Sequence, residues 1–207
     1  MPHCTDHTAF TIWLTGLPAS GKSDLAIAIA NALIKLSWSV EVIDSGKLRR
    51  TPLMATMGFS KAERDTNVRR HGLAAKLLAR NGVVAIVSSV SPYEDTRQQV
   101  RRELNNFIEV YVSTPQETCI KWDKSGLWKQ AIQGTITNFT GVDAPYEPPS
   151  APEINIDLSV IDLNVAAQRV IDCILALGYS TSPAQGLIKD DEQLLQKHLH
   201  QLGYNDG

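Results

Sequence analysis

Cysteine is scarce in this chain, and long apolar runs are missing. The three cysteines, Cys4, Cys119 and Cys173, are odd in number and far apart, which excludes a disulfide framework and a zinc site. No apolar run approaches the roughly 18 residues that a membrane span requires, and the first residues lack the basic and apolar regions of a secretory signal. These absences predict a cytoplasmic protein with no membrane partner.

An excess of charge of one sign is also missing. The formal net charge is −2 over 207 residues, so the composition gives no reason to expect nucleic acid as a partner. The charges are unevenly placed, because half of the 20 Lys and Arg residues lie between Lys35 and Arg80. That segment fits a site for a small anionic substrate, and it also fits a solvated helix face.

The most informative stretch is G-L-P-A-S-G-K-S at 16–23, which matches the phosphate-binding pattern G-x-x-x-x-G-K-S. An apolar run that predicts a strand precedes it, and an Ala- and Leu-rich run that predicts a helix follows it. A glycine-rich turn that binds no ligand would not require this strand–turn–helix context. The backbone N–H groups and the helix N-terminus suit a phosphate. We expect Lys22 to reach the β- and γ-phosphates of ATP and the Ser23 hydroxyl to bind Mg²⁺. The predicted ATP-binding residues of the loop are Gly16, Leu17, Pro18, Ala19, Ser20, Gly21, Lys22 and Ser23.

Strand and helix patterns alternate along the chain. Short apolar runs predict strands at 10–15, 40–44, 83–87, 107–112 and 154–158. Longer runs predict helices at 22–36, 61–80, 93–106, 116–122 and 165–177, with Ser60 and Glu63 forming a capping box. This order predicts an α/β fold, a P-loop NTPase-type doubly wound parallel sheet flanked by helices, with ligands at the carboxyl ends of the strands.

Glycine and proline punctuate residues 123–153, where only 126–132 has helical character. A long segment of this kind in a compact domain is often functional, so we expect a lid at about 123–150. One domain is predicted over 1–178. Residues 179–207 are predicted to form a linker and a small C-terminal helix near 190–202.

Further motifs occur along the chain after the phosphate-binding loop. They are I-D-S-G-K-L-R at 43–49, G-F-S-K-A-E-R-D-T-N-V-R-R at 58–70, S-P-Y-E-D-T-R at 91–97, E-V-Y-V at 109–112 with Cys119, G-L-W at 126–128, and N-F-T-G-V-D-A-P-Y-E-P-P at 138–149. Together they resemble the adenylylsulfate (APS) kinases over about residues 10–178. The resemblance implies a P-loop kinase that uses ATP and Mg²⁺ to phosphorylate the 3′-hydroxyl of adenylyl sulfate, giving PAPS for sulfate assimilation. It also implies a homodimer.

The same resemblance implies a set of acceptor-binding residues. They are Arg49, Phe59, Arg64, Asn67, Ser91, Pro92 and Phe139. The two arginines suit a phosphosulfate, because a guanidinium group gives bidentate contacts to oxyanions, and the two phenylalanines are expected to stack on the acceptor adenine. From the residues alone, the phenylalanines also fit a hydrophobic core, and Arg64 also fits a solvated helix face.

Three positions depart from the family's pattern near the expected reaction centre. Gly46 stands where the family has an acidic residue that is expected to accept the proton of the acceptor hydroxyl. Asp44 therefore remains as the carboxylate at this strand end. Trp122 stands where the family has an arginine that packs on the ATP adenine, and an indole can stack there as well. Ser125 stands where the family has a lysine that reaches between the nucleotides, with Lys124 one residue earlier.

The catalytic residues predicted on this basis are Lys22, Asp44 and Ser91, and Trp122 completes the predicted ATP site. The departures leave three interpretations open: an APS kinase with an altered centre, a kinase of the same fold that phosphorylates another nucleotide or activated small molecule, and a nucleotide-binding pseudokinase with a regulatory role. Turnover stimulated by adenylyl sulfate distinguishes the first interpretation, and binding without turnover marks the last. His71 is assigned no role.

Overall fold

The structure is a computed structural model that describes residues 9–51 and 58–179, and within these residues five parallel strands form one sheet. The strands are β1 Thr11–Gly16, β2 Val40–Asp44, β3 Val84–Ser88, β4 Phe107–Val112 and β5 Ile154–Ile156. Their order is β2-β3-β1-β4-β5, and every neighbouring pair is parallel. This arrangement confirms the doubly wound parallel sheet that the sequence predicts.

Helices connect the strands. In the described part of the chain they are α1 Lys22–Lys35, α2 Ser45–Leu48, α3 Lys61–Ala79, α4 Glu94–Glu103, α5 Gln116–Trp122, α6 Leu127–Ile132 and α7 Leu163–Ala176. All except α2 are predicted from the sequence, with bounds that differ by at most three residues. The capping box is also confirmed, because the Ser60 hydroxyl accepts from the Glu63 N–H and the Glu63 carboxylate accepts from the Ser60 N–H.

Helices cover both faces of the sheet, because alternate side chains of the central strand point to opposite sides. Ile12 and Leu14 belong to a buried cluster that includes Leu25 of α1 and Ile171 of α7. Trp13 belongs to a second buried cluster, formed with residues of α3 and α4. Every residue of β1 is buried, so the loop that follows this strand starts from a firmly packed position.

The carboxyl ends of three adjacent strands lie at one level. Ser88 of β3 is the register partner of both Leu14 in β1 and Asp44 in β2. The phosphate-binding loop follows β1, α2 begins directly after β2, and the segment through Ser91 follows β3. Ligand sites in doubly wound sheets lie at this edge, so the fold gathers three of the predicted functional segments there.

Some sequence predictions fall outside the described residues. These are the ones on 1–8, which include Cys4, on 52–57, and on 180–207, which include the predicted C-terminal helix. Within the described residues, Cys119 and Cys173 are free thiols. None of the described helices has the length and apolar character needed to cross a membrane.

Candidate active site

The phosphate-binding loop turns so tightly that two of its positions require glycine. Gly16 has a φ of 152° and Gly21 a φ of 91°, values that residues with a Cβ rarely adopt. A Cβ on Gly16 would lie 2.4 Å from the Val112 carbonyl oxygen, and one on Gly21 would lie 2.6 Å from Leu158 Cδ1. Gly21 is also the N-cap of α1, so the positive end of that helix faces the loop and favours an anion.

Lys22 is buried within this loop. Its Nζ donates hydrogen bonds to the carbonyl oxygens of Gly16 (3.0 Å) and Leu17 (2.6 Å) and to the Ser20 hydroxyl (3.2 Å). Burial lowers the pKa of Lys22 to about 8, so the ammonium form still predominates at pH 7. The loop thus holds a positive charge beside backbone N–H groups, as binding of a triphosphate requires.

Three oxygen-bearing side chains line the same cavity as this lysine, namely Ser23 of α1 and, at the ends of β2 and β3, Asp44 and Ser88. The Ser23 hydroxyl lies 3.5 Å from the Ser88 hydroxyl. Asp44 is buried, and its carboxylate accepts a hydrogen bond from the Lys47 N–H (2.9 Å), which caps α2. Hydroxyl and carboxylate oxygens are the donors that Mg²⁺ prefers, and Mg²⁺ usually takes its other ligands from phosphates and water. These residues therefore fit a phosphate-bound magnesium ion.

One cavity at this edge, of about 360 Å³, is lined by every predicted acceptor-binding residue and every predicted catalytic residue. Arg49 and Arg64 both lie over the Phe59 ring, with guanidinium carbons 4.3 and 5.4 Å from its centroid. Arg49 Nη2 donates to the Gly58 carbonyl (3.0 Å), and Arg64 Nε donates to the Phe59 carbonyl (2.9 Å). Burial lowers the pKa of both guanidinium groups, but arginine stays charged in proteins. The cavity therefore presents two cations beside an aromatic ring.

Asn67 and Phe139 complete this wall of the cavity. Asn67 Nδ2 donates to the Ser45 hydroxyl (3.2 Å), whereas its buried Oδ1 has no hydrogen-bond partner among the described residues. Phe139 is buried and meets the Trp128 ring edge-on, with centroids 5.1 Å apart. Phe139 thus belongs to a small core and also borders the cavity, so the two interpretations drawn from the sequence describe the same residue.

The segment after β3 is held by buried polar contacts. Ser91 has a left-handed φ of 36°, and its hydroxyl accepts from Trp13 Nε1 (3.0 Å) and donates to the Ser89 carbonyl (3.3 Å). Its carbonyl accepts from the guanidinium group of Arg97 (2.6 Å), which is fully buried and lies 3.0 Å from the Glu109 carboxylate. Sequence reasoning missed this ion pair, because its two members are brought together only by the sheet.

A second cavity, of about 710 Å³, opens on the other side of the phosphate-binding loop. Trp122 lines it with 42% of its surface exposed, and the apolar side chains of Leu158 and Ile161 line it as well. A Cβ placed on Gly21 would lie 3.8 Å from the Trp122 ring, so the indole stands beside the loop. An exposed indole in a cavity that aliphatic side chains also line suits stacking of a flat base.

The two cavities meet at the phosphate-binding loop. They have these lining residues in common: Ala19, Lys22, Ser23 and Lys124. A group bound in one cavity therefore reaches a group bound in the other at the buried lysine. This arrangement suits the transfer of a group between two bound molecules.

The segment predicted as a lid is packed on the phosphate-binding loop. Trp128 of α6 is buried, and its Nε1 donates to the Pro18 carbonyl (3.1 Å). A Cβ on Gly141 would lie 2.6 Å from the Trp128 ring, so this glycine makes room for the indole. The far end of the segment is tied to the wall after β3, because the Glu147 N–H donates to the Pro92 carbonyl (2.8 Å). Trp128 was missed as an anchor, although a tryptophan at 128 in a Gly- and Pro-rich segment is a signal that was available.

His71 of α3 is buried near this site, and neither ring nitrogen has a hydrogen-bond partner among the described residues. Burial, assisted by the positive charge of Arg49, lowers its pKa to about 4. The imidazole is therefore neutral at pH 7. His71 therefore packs inside the fold as a neutral side chain, and the free energy of unfolding depends on pH through this residue.

Comparison with known proteins agrees with this geometry. The family model described as adenylylsulphate kinase matches residues 8–157. The adenylyl-sulfate kinase of Rippkaea orientalis is 44% identical over 173 residues, which are 84% of this chain and 95% of that protein. The Mycobacterium tuberculosis APS kinase CysC, solved in complex with AMPPNP and APS, superimposes with a TM-score of 0.76 at 36% identity, covering 81% of this chain and 98% of that one.

A third similarity concerns assembly. A hexameric APS kinase from Thiobacillus denitrificans superimposes with a TM-score of 0.62 at 31% identity and covers 83% of this chain and 30% of that one. The residues that the family model matches include the phosphate-binding loop, the residues that the two cavities have in common and all five strands of the sheet. This chain belongs to the adenylylsulphate kinase family.

Proposed function

We propose that this chain transfers the γ-phosphoryl group of ATP to the 3′-hydroxyl of adenylyl sulfate, giving ADP and PAPS. The observation that carries the proposal is the meeting of two cavities at Lys22 and Ser23. One cavity offers the phosphate-binding loop and an exposed indole, and the other offers two guanidinium groups, an amide and two aromatic rings. Two nucleotides whose phosphates meet at the loop match these linings, and a relative has been solved with AMPPNP and APS together.

On the donor side, Lys22 and the N-terminal end of α1 hold the triphosphate. Trp122 stacks on the adenine in the second cavity. Ser23, which lies next to Ser88 and lines the same cavity as Asp44, would hold the magnesium ion, and the charge of the ion would neutralise the β- and γ-phosphates. The proposal for magnesium is supported by the oxygen donors at these three side chains.

On the acceptor side, Arg49 and Arg64 bind the phosphosulfate through charge-assisted hydrogen bonds. Phe59 and Phe139 border the space for the adenine, and the unpaired Oδ1 of Asn67 accepts a hydrogen bond from the bound nucleotide. An unpaired buried acceptor is costly, so a bound N–H or O–H group gains from meeting it.

In the transfer step, the bond between the γ-phosphorus and the β–γ bridging oxygen breaks, and its electron pair stays on ADP. A bond forms between the acceptor O3′ and the γ-phosphorus, and the hydroxyl proton passes to the Asp44 carboxylate or to water. Phosphoryl transfer depends mainly on positioning and charge neutralisation, and Asp44 is a buried carboxylate that lines the acceptor cavity, as Ser23 does. Ser91 shapes the wall beside the phosphates, since its hydroxyl is already engaged by Trp13 and Ser89.

Residues 123–150 act as the lid in this proposal, because α6 already contacts the loop through Trp128. Closure over both nucleotides excludes water and limits ATP hydrolysis. We also propose a homodimer, on the family resemblance, and a cytoplasmic location, which the scarce and widely spaced cysteines favour. Analytical ultracentrifugation tests the assembly and distinguishes a dimer from the hexamer of the Thiobacillus denitrificans relative.

The test of this function is ADP release from Mg·ATP, measured by a coupled assay with and without adenylyl sulfate. The proposal predicts release that adenylyl sulfate stimulates and that saturates with its concentration. Calorimetry of both ligands accompanies the assay. ATP binding with no stimulation by adenylyl sulfate would reject this acceptor and direct attention to another one.

A further inference from the structure

Arg97 of α4 is a buried cation that carboxylates hold on two sides. Its Nε lies 3.0 Å from the Glu109 carboxylate of β4, and both side chains are almost completely inaccessible to solvent. Its Nη2 also pairs with the Glu94 carboxylate, one turn earlier on the same helix. A buried charge requires partners of this kind, so the position of the guanidinium group is fixed relative to both the helix and the sheet.

The other N–H groups of Arg97 bind the backbone of two separate segments. Nη1 donates to the Ser91 carbonyl (2.6 Å), and Nη2 donates to the Glu147 carbonyl (2.7 Å). Ser91 lines the acceptor cavity, whereas Glu147 lies near the end of the predicted lid. Because a guanidinium group presents its N–H groups in a rigid, planar fork, one side chain sets the distance between these two carbonyls.

The contacts around these carbonyls show that both segments depend on this support. Ser91 has a left-handed φ of 36°, and a residue with a Cβ keeps such a conformation only where its surroundings hold it. The Glu147 N–H donates to the Pro92 carbonyl (2.8 Å), and the Tyr146 ring centroid lies 5.9 Å from Arg97 Cζ. The cavity wall and the lid end therefore meet at Arg97, and a shift of this side chain moves both.

We propose that Arg97 is a positioning residue, which holds the cavity wall at Ser91 and the lid end at Glu147 in the relative position that the acceptor nucleotide requires. This inference rests on the proposed function, because it concerns binding of the acceptor. Arg97 lines neither of the two cavities that meet at the phosphate-binding loop, so it acts through the two carbonyls. It moves no proton and takes no part in the bonds that break and form.

The same helix offers a matched control in Arg101. This arginine also pairs with Glu109, at 3.0 Å, and it pairs with Glu153 at 2.6 Å and lies over the Phe107 ring. None of these three partners lines either cavity. Arg101 therefore shares the ion pair to β4 with Arg97, and its contacts to these partners do not include the acceptor wall or the lid end.

The experiment compares Arg97→Lys with Arg101→Lys. Each variant keeps a positive charge near Glu109, but Arg97→Lys loses the fork that joins the two carbonyls. We expect the KM for adenylyl sulfate to rise about tenfold or more in Arg97→Lys, because small misplacements at a site are costly. The Kd for ATP, measured by calorimetry, should change less than threefold. Arg101→Lys should leave both constants within about twofold of the parent values.

Two further measurements keep the test decisive if Arg97→Lys is too unstable to assay. Glu94→Ala leaves Arg97 in place and removes a partly exposed partner that orients it, so the KM for adenylyl sulfate should rise about threefold; an unchanged KM would count against the inference. Hydrogen exchange over 141–149, read by mass spectrometry without any nucleotide, should be faster in Glu94→Ala and Arg97→Lys than in Arg101→Lys.

The inference is overturned if Arg97→Lys and Arg101→Lys give equal KM values for adenylyl sulfate, or if the Kd for ATP rises in step with that KM, since either result indicates a general loss of stability. A parent enzyme that adenylyl sulfate does not stimulate would refute the proposed function instead. Hydrogen exchange then decides on the positioning role alone, because equal exchange over 141–149 in the variants would refute it.

Discussion

Replacing Gly46 by aspartate is expected to raise the rate of phosphoryl transfer to adenylyl sulfate at least tenfold. Gly46 lies in the first turn of α2 and lines the acceptor cavity beside Asp44. The family's pattern has an acidic residue at this position, and the resemblance implies that this residue accepts the proton of the acceptor hydroxyl. General-base assistance raises a reaction rate by about 10²- to 10⁴-fold, so the gain in rate is expected to stay within about 10⁴-fold.

The structure indicates a gain near the lower end of that range. A Cβ on Gly46 would lie 3.2 Å from Asp44 Oδ1, so the Asp44 carboxylate must shift by a few tenths of an ångström. That carboxylate caps α2 through the Lys47 N–H, and loss of a cap costs about 1 kcal/mol. A second carboxylate next to Asp44 also adds like-charge repulsion, which limits the gain.

The matched control is Gly46→Ala, which adds the Cβ without the carboxylate. Both variants are assayed for ADP release at saturating ATP and adenylyl sulfate between pH 6 and 9. We expect Gly46→Ala to match or fall below the parent enzyme and Gly46→Asp to exceed both. If the aspartate variant is no faster than the alanine variant, the reasoning that the parent lacks a base at this position is wrong.

Three further predictions follow from the described contacts. Lys22→Ala should abolish ADP release, and turnover retained in a folded variant would contradict the assignment of the donor site. Trp122→Ala should weaken ATP binding about fivefold to a hundredfold by calorimetry, since stacking on a base contributes about 1–3 kcal/mol, whereas Trp122→Phe should weaken it little; equal losses would argue against stacking. His71 has a folded pKa of about 4, below its ordinary 6.5, so the stability gained by keeping it neutral is present above pH 6.5 and lost as the pH falls toward 4. Urea unfolding at pH 8 and pH 4.5 should show His71→Leu losing roughly 2–3 kcal/mol less than the parent enzyme; equal losses would refute this.

The sheet and its main helices were predictable because their signals are local. An apolar run as short as the one at 83–87 identifies a buried strand, and the glycines at 16 and 21 identify the turn between β1 and α1. Helix α2 was missed because four residues that include a glycine carry almost no helical pattern. The signal that was available is Asp44, whose side chain caps this short helix.

The acceptor wall was predicted only through the resemblance. Arg64 and Asn67 are three residues apart on α3, and periodicity cannot tell whether this face meets solvent or a cavity. The buried pair of Arg97 and Glu109 was beyond sequence reasoning, because the residues lie on α4 and β4 and meet only when the sheet is formed. His71 was equally ambiguous, since a lone histidine gives no sign of its burial.

The most direct test of the proposed activity is to follow the γ-phosphoryl group itself. The enzyme is incubated with γ-labelled ATP, magnesium and adenylyl sulfate, and the products are separated and digested to locate the label. We predict label on the 3′-oxygen of the adenylyl sulfate ribose, and none transferred to an acceptor that lacks the 3′-hydroxyl. Label found only in inorganic phosphate, or label that stays entirely on ATP, would contradict the proposed activity.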